Sequence, residues 1–209
     1  MLTKLKEQVQ LLLVAEARFA HKIGLSPNHL SLIGLFAAVV SAYFYWSSQF
    51  QTVGLAYAAL FLLVSGYFDA LDGVLARLFG EVTVFGGFLD SLLDRYSEAL
   101  ILGSIFLGWL MTSPLWQLSG IAAIVGSLLV SYTRARAEAA GVKMETVGLA
   151  ERAERLLILV AASLLTLVWL DALRWSIALL AVLTNLTVLQ RVIYFRKAAK
   201  KREATTPVI

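Results

Sequence analysis

The chain contains no cysteine and few charged residues, and both absences narrow what it can be. Without cysteine it has no disulfide bonds and no thiolate metal sites. Only 15% of the 209 residues are charged, whereas 59% are hydrophobic and the mean hydropathy is +0.78. A soluble domain of this length needs a more highly charged surface. Because long apolar runs recur along the chain, the sequence predicts an integral membrane protein.

Residues 1–24 are predicted to form an amphipathic helix that lies on the membrane surface. Their apolar residues recur at helical spacing, and basic residues occupy the other side. The apolar positions are Leu2, Leu5, Val9, Leu12, Leu13, Phe19, Ala20 and Ile23, and the basic ones are Lys4, Lys6, Arg18 and Lys22. Ser26 and Pro27 then suit the N-cap and the first position of a new helix.

Six apolar segments follow, and each is expected to cross the bilayer as a helix. Their predicted ranges are 28–47, 54–79, 86–109, 115–140, 153–170 and 173–197. A helix rises about 1.5 Å per residue and needs about 20 residues to cross the hydrocarbon core. The sequence therefore predicts an all-α integral membrane domain over residues 25–202, followed by a short C-terminal tail, residues 203–209.

Basic residues are concentrated on one side of this predicted topology. They precede the first span, flank the connection between the fourth and fifth spans, and follow the last one. The opposite connections, near 48–53 and 110–114, contain no Lys or Arg, and that near 171–174 contains only Arg174. The positive-inside rule then predicts a multi-pass cell membrane protein with both termini in the cytoplasm. Topology accounts for the net charge of +4, and no nucleic-acid partner is expected.

Four aspartates interrupt the second and third predicted spans. A charged side chain at the bilayer centre costs about 2.5–3.5 kcal/mol, so their presence needs a reason. Two sets of residues share one helical face each, at i, i+3, i+4, i+7 and at i, i+4, i+8. The sets are Asp69, Asp72, Gly73 and Ala76 on one helix and Gly86, Asp90 and Asp94 on the next. The short connection makes the two helices antiparallel neighbours, so the carboxylates are expected to meet.

Four carboxylates that converge in a low-dielectric site repel one another unless cations compensate. Oxygen ligands without His or Cys nearby favour Mg²⁺, Mn²⁺ or Ca²⁺. Two divalent ions would balance the charge and leave room for phosphate oxygens. Two other interpretations fit the acids alone. They could pair with Arg77 and Arg95 beside helix-packing glycines, or they could line the ion path of a divalent-cation transporter.

The same residues carry a resemblance to a known family. The pattern Asp69-x2-Asp72-Gly73-x2-Ala76-Arg77-x8-Gly86-x3-Asp90-x3-Asp94 resembles the complete signature of the CDP-alcohol phosphotransferases. The resemblance extends to the six spans, the N-terminal surface helix and the "SPNHLSLIG" entry to the first span. It implies an enzyme of membrane phospholipid biosynthesis that takes a CDP-linked lipid, attacks it with an alcohol and releases CMP.

The resemblance also implies a role for each residue of the signature. Two ions, Mg²⁺ or Mn²⁺, would be held by Asp69, Asp72, Asp90 and Asp94. Asp94 would also be the general base for the acceptor hydroxyl. The CDP group would be bound by Asp69, Asp72, Gly73, Ala76, Arg77 and Gly86. The resemblance further implies a homodimer and an active cavity that opens to the cytoplasm and to membrane lipids.

Arginines near the predicted cytoplasmic side indicate a phosphorylated acceptor. Arg134, Arg155 and Arg191 lie among helical apolar residues, and guanidinium forks suit a phosphate group. The stretches "SYTRARAEAAG" and "GLAERAERLLIL" resemble the bacterial and archaeal phosphatidylinositol-phosphate synthases. That resemblance implies an inositol phosphate acceptor seated by Ser131, Arg134, Arg155 and Arg191. Glycerol 3-phosphate, which also carries a phosphate, is the alternative acceptor.

The sequence leaves the donor open between CDP-diacylglycerol and CDP-archaeol, because hydrocarbon contacts leave no short motif. His21 and His29 are interpreted as interfacial or packing residues and not as metal ligands. Thr184 and Asn185 are predicted to form hydrogen bonds between helices. Glu98, one turn after Asp94, is expected either to touch the same cavity or to pair with a neighbouring side chain.

Overall fold

The protein is all-α in the computed structural model, which describes residues 2–144 and 147–205 and the side chains of 12–144 and 147–201. These residues form seven α-helices and one π-helical segment and no strand, which confirms that the fold is all-α as predicted. The helices are α1 Leu2–Lys22, α2 Pro27–Ser47, α3 Gly54–Phe79, α4 Val84–Ile105, α5 Pro114–Ala139, α6 Arg152–Leu165 and α7 Ala172–Thr205. The π-helical segment, Phe106–Leu110, continues α4.

The chain divides into two compact units, Met1–Ser104 and Ile105–Ile209. α7 continues to Thr205, so the first three residues of the predicted tail, 203–205, are helical. Residues 206–209 of that tail lie outside the described residues. The side chains of Leu2, Leu5 and Val9, on which the predicted amphipathic face partly depends, also lie outside the described side chains.

In the first unit, α3 packs against both α1 and α2. A buried apolar cluster joins α1 to α3, and its members are Leu13, Ala17, Ala20, Leu30, Leu71, Val74 and Leu75. The end of α1 is held by His21, whose ring stacks on Phe79 at 3.7 Å and whose Nδ1 lies 3.3 Å from Glu81 Oε1. Leu12 and Phe19, on the other side of α1, are exposed.

The antiparallel pair of α2 and α3 begins at the predicted N-cap. The backbone N–H of His29 donates to Ser26 Oγ at 3.4 Å, and that of Ser26 donates to His29 Nδ1 at 3.2 Å, while Pro27 is the first helical residue. Further along, the buried Ser41 hydroxyl donates to the carbonyl oxygen of Ala58 at 2.8 Å. This direct hydrogen bond between the two helices helps to fix their register.

In the second unit, α7 packs against α5 and α6. Asn185 Nδ2 donates to the carbonyl oxygen of Ala122 at 3.0 Å, which confirms its predicted role between helices; the Thr184 hydroxyl instead donates within α7, to Leu180. Arg174 at the start of α7 donates from Nε to the carbonyl oxygen of Trp109 at 3.1 Å. That bond joins α7 to the π-helical segment.

Four helices are long and apolar enough to cross a membrane, among the residues that the structure describes. These candidate spans are Pro27–Ser47, Gly54–Leu78, Pro114–Ala139 and Ala172–Lys201. Two predicted spans are not among them. α4 contains the charged residues Asp90, Asp94, Arg95 and Glu98. α6 has only 14 residues, because it ends at Leu165 where the sequence predicted a helix to 170. The predicted number of six spans therefore stays a prediction.

Candidate active site

Three of the four signature aspartates converge in the first unit. Asp69 and Asp72 on α3 and Asp90 on α4 each offer a carboxylate oxygen, and these oxygens lie within 4.8 Å of one another. Asp72 is buried, with 6% of its surface exposed, while Asp69 and Asp90 are half-buried. We call these three residues the aspartate cluster. Three carboxylate oxygens at this separation suit a hard divalent cation such as Mg²⁺ or Mn²⁺.

The fourth aspartate, Asp94, lies outside the aspartate cluster as the described side chains are arranged. Its Oδ2 is 3.3 Å from Nη2 of Arg95, and Nη1 of Arg95 is 3.2 Å from Glu98 Oε2. The predicted pairing of Glu98 with a neighbouring side chain is therefore observed. Asp94 and Glu98 are both largely shielded, with 16% and 11% of their side chains exposed.

The small residues of the signature lie where polar side chains approach the backbone. A Cβ atom on Gly73 would lie 3.1 Å from Arg77 Nη1, so the guanidinium of Arg77 rests against the glycine. A Cβ atom on Gly86 would lie 2.9 Å from Thr83 Oγ1 and 3.4 Å from Asn28 Oδ1. Larger side chains at either glycine would therefore displace polar groups beside the aspartate cluster.

The turn before α4 explains how Gly86 is placed. α3 ends at Phe79 because Gly80 adopts a left-handed conformation, with φ of +68°, and Glu81 N–H donates to the carbonyl oxygen of Ala76 at 2.9 Å. The Thr83 side chain then accepts a hydrogen bond from the Gly86 N–H at 2.9 Å, as an N-cap does. These caps direct α4 back along the site.

Sequence reasoning missed one residue of this site, Ser31 on α2. Its Oγ donates to Asp72 Oδ2 at 2.5 Å, across a separation of 41 residues. A lone serine in an apolar helix gives no signal of a distant partner in a single sequence.

Arginines converge in the second unit. Arg155 on α6 and Arg191 on α7 are each only 3% exposed, which is unusual for arginine. The charges of Arg134, Arg155, Glu138 and Glu151 all act electrostatically on Arg191. We call Arg134, Arg155 and Arg191 the arginine cluster. Like charges gathered in a buried place attract an anion.

Backbone carbonyl groups hold the two buried guanidinium groups. Arg155 Nη1 donates to the carbonyl oxygen of Ala150 at 2.7 Å, and Arg191 Nε donates to that of Val147 at 2.8 Å. Arg191 Nη1 also donates to the carbonyl oxygen of Val130. These carbonyl oxygens are neutral acceptors, and they orient the two guanidinium groups.

The other two predicted acceptor residues, Ser131 and Arg134, lie near the end of α5. Arg134 is about half exposed, and its Nε lies 2.9 Å from Glu138 Oε1. Ser131 Oγ is 3.5 Å from the carbonyl oxygen of Ser127, which is the limit of a hydrogen bond. Arg134 is thus the exposed member of the arginine cluster, and Arg155 and Arg191 are its buried members.

Comparison with known proteins identifies the family of the chain. The family described as CDP-alcohol phosphatidyltransferase matches residues 25–189. An archaetidylinositol phosphate synthase of Pyrococcus horikoshii is 38% identical over 94% of this chain and 97% of its own length. A phosphatidylinositol phosphate synthase of Mycobacterium marinum is 35% identical over 84% of this chain and 75% of its own length.

Solved structures of a phosphatidylinositol phosphate synthase from Mycobacterium tuberculosis are also similar. The structure with CDP-DAG bound superimposes with a TM-score of 0.78 at 29% identity, covering 88% of this chain and 92% of that one. The structure in complex with manganese and citrate has the same TM-score and identity, and covers 88% of each chain. The similarity therefore extends over most of both chains.

Proposed function

This chain belongs to the CDP-alcohol phosphatidyltransferase family and is an enzyme of that class, and on that premise we propose that its acceptor is inositol 1-phosphate. The donor is a CDP-linked lipid, either CDP-archaeol or CDP-diacylglycerol. The products are the phosphorylated inositol lipid and CMP. The burial of two arginines in one cluster is the observation that carries the choice of acceptor, since a phosphate group can accept charge-assisted hydrogen bonds from both guanidinium groups and a plain alcohol cannot.

The arginine cluster supports a phosphorylated acceptor on physical grounds. A guanidinium group offers parallel N–H donors that match two phosphate oxygens, and such charge-assisted bonds are about twice as strong as neutral ones. Because carbonyl groups already orient Arg155 and Arg191, the phosphate of the acceptor meets donors in fixed positions. In this proposal Arg134 and Ser131 complete the site from α5.

Asp94 is the proposed general base. The acceptor hydroxyl oxygen forms a bond to the phosphorus that carries the lipid, and the bond from that phosphorus to the bridging oxygen breaks. CMP leaves with the bonding electrons, and the hydroxyl proton passes to the Asp94 carboxylate. Arg95 holds that carboxylate at 3.3 Å, which restricts its orientation.

The aspartate cluster is the proposed metal site, completed by Asp94. The donor set fits, because three carboxylate oxygens lie within 4.8 Å of one another and one of them is buried. Two Mg²⁺ or Mn²⁺ ions would neutralise the diphosphate and favour departure of CMP. Gly73, Ala76, Arg77 and Gly86 are proposed to bind the CDP group, together with Asp69 and Asp72.

Membrane placement and assembly form part of the same proposal. We propose six spans, with α4 and α6 as the two that lie outside the four apolar candidates, a surface helix over residues 1–24, and cytoplasmic termini with a cytoplasmic active site. Residues 25–202 are the proposed catalytic domain, with 203–209 as its tail. A homodimer is supported by the exposed apolar side chains of α4, which include Phe88, Leu92 and Tyr96.

CMP release from purified protein tests this function. Each donor, CDP-archaeol and CDP-diacylglycerol, is offered with inositol 1-phosphate, with glycerol 3-phosphate and with free inositol. The proposal expects CMP only with inositol 1-phosphate, and the preferred donor identifies the lipid class. CMP release only with glycerol 3-phosphate would transfer the acceptor assignment to that compound.

A further inference from the structure

α2 contributes a hydroxyl group to the aspartate cluster. Ser31 Oγ lies 2.5 Å from Asp72 Oδ2, the distance of a strong hydrogen bond between a hydroxyl and a carboxylate. Asp72 is the buried member of the cluster, so solvent has little access to replace this bond.

The hydrogen of the Ser31 hydroxyl has two acceptors within reach. The carbonyl oxygen of Pro27 lies 3.1 Å from Oγ, one turn earlier in α2. A hydroxyl has a single hydrogen to donate, and the carboxylate is both the nearer acceptor and the charged one. The bond to Asp72 therefore prevails, and it limits rotation of the carboxylate about its Cβ–Cγ bond. A carboxylate held through one oxygen still has lone pairs for a cation.

The backbone of α2 approaches α3 closely at this point. One turn after Ser31, a Cβ atom on Gly34 would lie 3.4 Å from the Ser65 carbonyl oxygen and 3.8 Å from the Asp69 nitrogen. Helix axes that approach this closely fix the position of Ser31 relative to Asp72. The hydroxyl is thus presented to Asp72 by a rigid helix and not by a loop.

We propose that Ser31 is a positioning residue that orients Asp72 for binding of a divalent cation. This inference rests on the proposed metal site. Hydrogen-bond partners of metal ligands fix ligand orientation, and their loss lowers metal affinity by about 10- to 100-fold. Ser31 acts on the cation through Asp72 in this proposal.

Mn²⁺ binding to the purified, substrate-free protein tests the inference, with the free Mn²⁺ signal measured by electron paramagnetic resonance. Ser31→Ala should weaken Mn²⁺ binding at least about 10-fold. Ser31→Thr keeps the hydroxyl and should bind within about 3-fold of wild type, an expectation that follows from retaining the same donor. Ser41→Ala is the matched control, since it removes another hydrogen bond between α2 and α3, to Ala58. It should leave Mn²⁺ affinity unchanged.

Each outcome separates the inference from the function it rests on. Wild-type affinity in Ser31→Ala would overturn the role of Ser31 and leave the metal site intact. Equal weakening in Ser31→Ala and Ser41→Ala would also overturn it, because helix packing would then be the cause. If wild type itself binds no Mn²⁺, the proposed metal site fails first. At saturating Mn²⁺, Ser31→Ala should regain wild-type turnover, whereas a variant with a damaged fold would not. If Ser31→Ala does not fold, Ser31→Thr decides the question: a loss of Mn²⁺ affinity in Ser31→Thr, which keeps the hydroxyl, would overturn the role of that hydroxyl.

Discussion

Asp94 Oδ2 lies 3.3 Å from Nη2 of Arg95, the next residue of α4. The other end of the guanidinium is 3.2 Å from Glu98 Oε2, one turn further along the helix. Arg95 is therefore held between two acids, and its contact with Asp94 restricts the orientation of that carboxylate.

Asp94→Asn should lower turnover by about 100- to 10,000-fold, the usual contribution of a general base. An amide keeps the size of the side chain but cannot accept the hydroxyl proton at neutral pH. Binding of the CDP-lipid, measured by calorimetry, should change little. Turnover near that of wild type would remove Asp94 from the role of base.

Arg155→Ala and Arg191→Ala should each raise the acceptor KM by about 10-fold or more, since hydrogen bonds to charged groups contribute about 1.5–3 kcal/mol. The donor KM should stay near its wild-type value. Steady-state kinetics with inositol 1-phosphate as the varied substrate measure both constants.

Arg174→Ala is the control for these two variants. Arg174 is also on α7, but it bonds Trp109 and Asp171. Its removal should leave the acceptor KM unchanged. Should the acceptor KM of Arg155→Ala and Arg191→Ala match wild type, their burial would need a purely structural explanation.

Chelation should abolish CMP release, and added Mg²⁺ or Mn²⁺ should restore it. The Asp72→Asn variant should not regain CMP release at the Mg²⁺ or Mn²⁺ concentrations that restore the wild-type enzyme, because an amide is a weaker ligand for hard cations. Asp171→Asn, which alters an acid paired with Arg174, should recover fully. Activity that survives complete chelation would contradict the metal site.

Gly126→Ala should lower the thermal unfolding midpoint. A Cβ atom at Gly126 of α5 would lie 2.7 Å from Asn185 Nδ2 and would also collide with Thr184 Oγ1, both on α7. Overpacking of this kind typically costs about 1–3 kcal/mol. In contrast, Gly103→Ala in α4 meets no atom within 4 Å among the described residues and should not lower the midpoint. If Gly126→Ala and wild type unfolded at the same midpoint, α5 and α7 would have to lie further apart at Gly126 than in this structure.

The absence of native cysteine permits a direct test of topology. In intact cells, a membrane-impermeant maleimide should label Ser113→Cys, which lies in the connection without Lys or Arg. Lys143→Cys should be labelled only after lysis. The reverse pattern would place the termini outside the cytoplasm.

Helical spacing was sufficient to predict the aspartate cluster. Residues at i, i+3 and i+4 share a face whatever surrounds them, so Asp69 and Asp72 were placed correctly on one helix, and a short turn brought Asp90 opposite. Whether Asp94 contacts Arg95 was left open by the sequence, because that contact depends on the side-chain rotamers of Asp94, Arg95 and Glu98. Spacing fixes Cα positions and leaves rotamers open.

Long-range contacts were harder to predict. The hydrogen bond from Ser31 to Asp72 depends on how closely α2 approaches α3 at Gly34, and a hydropathy pattern carries no such distance. The early end of α6 at Leu165 was missed for a similar reason. Residues 166–170 remain apolar, but the Thr166 hydroxyl accepts from the N–H of Leu173 and so supports a turn there.

The two buried guanidinium groups have a consequence for how a ligand arrives. Main-chain oxygens of Ala150 and Val147 hold them in place as part of folding, so repulsion between like charges is already overcome before any anion enters. In the proposed function, binding of the acceptor phosphate then requires little rearrangement of the protein, and most of the attraction is retained as affinity. A receptor that is rigid in advance can also exclude anions of the wrong shape, because it does not adapt to them.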